Sequence, residues 1–140
     1  MKYLIPFILL ISVLSSCTKE VQIDIPGYKE QLVIDGSIET DSRPLVLLST
    51  TANVYSPTNI EAYLSSFVAG AVVTVNNGSQ TFTLENVYTD EMLPGDVEEV
   101  ARILGFPTNL LANLHMPVYF PVSNPVYGEV GKTYSLTVTH

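Results

Sequence analysis

Side chains able to do covalent or coordination chemistry are few here and widely spaced. A single cysteine, Cys17, ends the apolar run LLISVLSS, and the two histidines, His115 and His140, stand far apart. Five carboxylates crowd one short stretch as Asp90, Glu91, Asp96, Glu98 and Glu99. One cysteine cannot close an internal disulfide or supply a Cys-rich zinc site. As a nucleophile it would need a base, and Leu14, Ser15, Ser16 and Thr18 offer none. The acidic stretch could present oxygens to calcium, but it lacks EF-hand spacing and Leu93-Pro94 interrupts it. A helix start explains part of it, with Asp96 as cap, Glu99 completing a capping box and both favoured by the helix dipole. His115 has no second histidine or cysteine at ligand spacing and reads as a packed or loop-facing side chain. No serine, histidine and acid share a strand-turn context that would announce a triad. The expectation is a non-enzymatic protein with no catalytic, metal or cofactor-binding residues.

The charge balance narrows the partners. Fourteen acidic residues against six basic ones give a net charge of -8 over 140 residues, a length that suits one domain. Nucleic acid demands clustered Lys and Arg, and anionic lipid is repelled by the same imbalance. The scattered charges read as a solvated surface.

What remains for Cys17 is attachment. Lys2 and the amino terminus form a short positive region, and residues 4–14 are almost entirely apolar. That run is shorter than the ~20 residues of a spanning helix and has the length of a signal-peptide core. Leu14-Ser15-Ser16-Cys17 then resembles the lipobox of bacterial lipoproteins, in which the signal is cut before the cysteine and the thiol receives a diacylglyceryl group. Each buried methylene contributes ~0.8 kcal/mol, so two or more chains hold a protein stably at a bilayer. The expected organisation is a signal peptide over 1–16, a lipidated tether over 17–30 containing Pro26-Gly27, and a β-domain over 31–140.

The elements that must position everything else read as strands. QLVIDGSIET alternates, with Leu32, Ile34 and Ile38 on one face, and predicts a half-buried strand. Turn residues 41–44 lead to PLVLLSTT, whose unbroken apolar character predicts a more buried one. Residues 56–59 read as a loop before a short helical turn. GAVVTVNNGSQTFTLENV predicts a hairpin, with Asn77-Gly78 favouring left-handed dihedrals. GDVEEVARILGFP predicts a short helix stopped by Gly105 and Pro107, and a second small helix follows from Thr108. Strand character then returns, ending in TYSLTVTH. Gly131-x-x-Tyr134 resembles the tyrosine corner of sandwich domains, which makes Tyr134 structural. Because the last strand reaches His140 without a turn, the chain is expected to be the amino-terminal part of a longer protein. Phe106, Leu110, Leu111, Leu114, Tyr119 and Phe120 are the most apolar group after the tether. They either cap an open end of the core or face a partner.

Taken together, the lipobox at Cys17, IDIPGYKEQLVIDGSIETD, GAVVTVNNG and GEVGKTYSLTV resemble the domain of unknown function 4249 lipoproteins of Bacteroidota. The resemblance implies an immunoglobulin-like β-sandwich, here with a short helical insertion after the signal peptide, anchored at the outer membrane. It also implies company with TonB-dependent transporters and a part in nutrient capture, and it carries no catalytic residues over. Two departures stand out: family members run longer, and the insert over 94–116 replaces a short loop. The expected function is that of an outer-membrane accessory for binding or docking. The alternatives are a structural or adhesive surface lipoprotein and an inert truncated paralogue.

Overall fold

The computed structural model describes residues 27–53 and 56–140, so the expected signal peptide, Cys17 and most of the tether lie outside the described residues. The fold is mainly β, with six antiparallel strands and short helices. In chain order these are β1 (Leu32–Ser37), β2 (Leu45–Thr50), α1 (Ile60–Ser65), β3 (Val72–Asn76), β4 (Thr81–Tyr88), α2 (Pro94–Leu104), α3 (Thr108–Leu111), β5 (Pro117–Phe120) and β6 (Ser135–Thr139).

Hydrogen bonding runs in the order β1-β2-β5-β4-β3-β6, and β4 is where the sheet turns its corner. Thr81 to Leu84 of β4 pair with β3, whereas Glu85 to Tyr88 pair with β5. One strand therefore serves two layers, the device by which sandwich and barrel-like sheets fold over on themselves. Between the layers lies a core of Val46 and Leu48 from β2, Tyr119 from β5, Val73 and Val75 from β3, and Leu84 from β4. A second core covers the other side of the β2-β5 layer. There Leu45, Val118 and Phe120 pack against Val97, Val100 and Ala101 of α2, Leu111 of α3 and Met116. Alternate residues of β2 and β5 thus enter different cores, which is why PLVLLSTT shows no polar face.

The edges differ from expectation. β1 is not half-buried: all six of its residues are exposed, Leu32, Val33 and Ile34 included. Among the described residues it pairs with β2 alone, and near its end Gly36 faces the Leu136 side chain of β6. At the other edge Tyr134 and Val138 pack against the interlayer core while Leu136 stays exposed.

Local chemistry sets the turns. The β3–β4 loop is four residues long: Asn77 Oδ1 accepts from the N–H groups of Ser79 and Gln80, and Gly78 takes φ +90°. Asn59 caps α1 by accepting from Ala62 N–H at 2.8 Å. α2 begins one turn earlier than the expected capping box, with Leu93 as cap residue and Pro94 at the first helical position. It ends as expected at Gly105, which adopts φ +70° while Phe106 N–H returns to Ala101 O. The tyrosine corner forms: Tyr134 donates its hydroxyl to Tyr127 O at 3.2 Å and accepts from Glu129 N–H at 3.0 Å.

Candidate functional site

The six apolar residues expected at a partner surface divide. Leu111, Tyr119 and Phe120 are fully buried, which corrects the partner-facing expectation for them and agrees with the core-capping one. β5 is an inner strand covered on both faces, so Tyr119 enters the interlayer core and Phe120 the helix-covered one. Tyr119 also braces a loop from within, donating to Val68 O at 3.1 Å and accepting from Ala71 N–H at 3.0 Å. Leu114 is half-buried against the helix-covered core. Phe106 and Leu110 alone of the six remain exposed, on the α2–α3 corner.

The acidic stretch divides as well. Asp96 and Glu99 are not free for a cation, because Arg43 holds both, at 2.6 Å and 2.7 Å. The expected capping box is absent because Glu99 instead accepts from Arg43 N–H (2.9 Å), Arg43 Nε (2.8 Å) and the Ser42 hydroxyl (3.2 Å). The guanidinium lies 4.2 Å from the Phe120 ring centroid. Burial pushes the Glu99 carboxyl upward, but the bonds from Arg43 and Ser42 outweigh it and hold the group below the usual carboxylate range. Burial likewise opposes the charge on Arg43, and its hydrogen bonds to Asp96 and Glu99 overcome that and raise its pKa. Arg102 extends the network to Ser42 and Glu39. This cluster ties the β1–β2 turn to α2, and its role is structural.

Asp90 sits elsewhere, with its carboxylate oxygens 3.0 Å and 3.1 Å from His115 Nδ1. His115 is exposed and stacks flat on Tyr88, at 3.9 Å between centroids and 4° between planes. It is neither packed in a core nor isolated.

An open cleft of ≈ 860 Å³ lies between the chain entering β1, the end of β2 and α1. Tyr28 and Tyr63 form aromatic walls, Ile60 adds an apolar one, and Thr58 and Ser56 line the cleft with neutral polar groups, with Glu30 the one acid among the described residues. Each tyrosine is fixed. Tyr28 hydrogen-bonds through its hydroxyl to Thr51, and Tyr63 meets Phe67 edge-on at 5.1 Å. Both residues remain exposed, at 43% for Tyr28 and 49% for Tyr63. Sequence reasoning missed this cleft. Its signal was the density of hydroxyl, amide and tyrosine side chains over 50–66, where the sequence reads only as a loop before a short helical turn.

Among the described residues no helix is long and apolar enough to cross a membrane. The chain matches no family model, no curated protein and no solved structure.

Proposed function

We propose that this chain is a non-enzymatic lipoprotein of the outer membrane, anchored through Cys17, that captures or docks material for a TonB-dependent uptake system. The family resemblance to the domain of unknown function 4249 lipoproteins of Bacteroidota supports the setting, and the lipobox supports the anchor. The observation that carries the reading is the nearness in sequence of tether and cleft. Tyr28, on the wall of the cleft, follows Cys17 by eleven residues. Eleven extended residues reach at most about 40 Å, so the cleft would work close to the bilayer, on the cell-surface or the periplasmic face. A tether of that length raises the effective concentration of the domain beside a membrane partner. Tyrosine walls with neutral donors and acceptors suit an uncharged polar ligand, and exposed Phe106 and Leu110 give the α2–α3 corner an apolar contact for a barrel.

The test is expression in the native host, gentle solubilisation of the outer membrane and identification of what co-purifies. A stoichiometric barrel lost on Cys17→Ala supports the reading; a lipoprotein recovered alone overturns it.

One observation favours the adhesive alternative. Among the described residues β1 pairs along one edge only and has Leu32, Val33 and Ile34 exposed, the form of strand that pairs with another chain. Concentration-dependent polymerisation abolished by Val33→Lys would move that reading ahead.

A further inference from the structure

Asp90 and Glu91 lie two and three residues beyond the end of β4, and His115 lies two residues before β5. The two strands pair as far as Tyr88 and Pro117. Thr89 extends that clamp, its N–H donating to Met116 O at 3.1 Å and its hydroxyl to Leu114 O. Thr89 is 1% exposed, so the backbone beneath Asp90 and His115 is fixed by buried bonds. The flat stack on Tyr88 sets the plane of the imidazole, and one donor atom each from Asp90, Glu91 and His115 lies within 4.8 Å of the others.

We propose that Asp90, Glu91 and His115 form a surface site for a divalent first-row transition metal, zinc above all. Ligands about 2.0–2.2 Å from such an ion, at angles of its usual geometry, stand roughly 3–3.5 Å apart. His115 Nδ1 and the Asp90 oxygens already meet that spacing at 3.0 Å and 3.1 Å. A nitrogen beside two carboxylates selects a borderline ion over calcium, which takes six to eight oxygens. On binding, the neutral ring carries its proton on Nε2, Nδ1 and the two carboxylates bond the ion, and water completes the coordination. The carboxylates balance the charge of the ion, within a chain whose net charge of -8 already draws cations. Asp96 and Glu99, committed to Arg43, take no part.

The experiment uses the full chain in detergent, stripped with EDTA and titrated with Zn2+ alone by calorimetry, with Ca2+ in parallel. The expected result is saturable binding of one Zn2+ per chain and no comparable binding of Ca2+. His115→Ala and Glu91→Gln should each weaken it at least about tenfold, with melting temperatures in EDTA equal to the parent's, while His140→Ala binds as the parent does. Zn2+ should raise the melting temperature of the parent and not that of His115→Ala. Absence of saturable binding, binding undiminished in both His115→Ala and Glu91→Gln, or Ca2+ binding as tight as Zn2+ would each overturn the site.

Discussion

Arg43 grips Glu99 from two directions, its backbone N–H reaching one carboxylate oxygen at 2.9 Å and its Nε the other at 2.8 Å. Fifty-six residues separate the two, so this single contact fastens the turn after β1 to the helix that covers the β2-β5 layer. The side chains of Arg43, Asp96 and Glu99 are only 11%, 15% and 19% exposed. Arg43→Ala strands two part-buried carboxylates and should cost about 2–3 kcal/mol, read as a lower urea midpoint at unchanged slope.

The same contact sets a pH dependence. The carboxyl of Glu99 has a lower pKa folded than unfolded. Its contribution is therefore fully present above the unfolded value and fades as pH falls through the folded one. The gap in melting temperature between the parent and Glu99→Gln should stay constant above about pH 5 and narrow below it. A gap that does not narrow in acid would contradict the assignment.

Gly128 answers to a steric demand. A Cβ there would lie 2.1 Å from Glu39 O, within a patch where Asp41 N–H bonds Gly128 O and Gly128 N–H bonds Ser42 O. Gly128→Ala must push the two segments apart and should destabilise the domain by about 2–4 kcal/mol by thermal melting. Gly95→Ala, where a Cβ meets nothing within 4 Å, serves as the control.

Tyr119 and Phe106 should separate core from surface. Tyr119→Phe removes a buried hydroxyl that bonds both Val68 O and Ala71 N–H, at a cost of about 1–3 kcal/mol. Phe106→Ala and Leu110→Ala, on exposed positions, should leave the urea midpoint within about 0.5 kcal/mol of the parent and, under the docking proposal, weaken recovery of the barrel.

Local rules made much of this legible. The stop at Gly105, the turn at Gly78 and the corner at Tyr134 depend on neighbours within about seven residues, and each is where the sequence places it. Burial of β2 was readable from its unbroken apolar run. Long-range pairing was not. Nothing near Arg43 announces that it meets Asp96 and Glu99, and an acidic helix start looks the same whether its carboxylates face water or a distant guanidinium. The alternation in β1 predicts a buried face, but how far that face is buried depends on how closely other segments pack over it, and no periodicity reports that. The tyrosine cleft escaped for a related reason: Tyr28 and Tyr63 become neighbours only once α1 folds back beside the end of β2.

The division of β4 between two partners has a consequence for how the domain comes apart. Because residues 81–84 belong to one layer and 85–88 to the other, neither layer can open without tearing bonds from the strand they share. The two halves should behave as one cooperative unit, with no stable half-domain surviving the loss of the other. In hydrogen exchange the amides around Leu84 should open only with the whole molecule, while those of β1 at the exposed edge exchange well before.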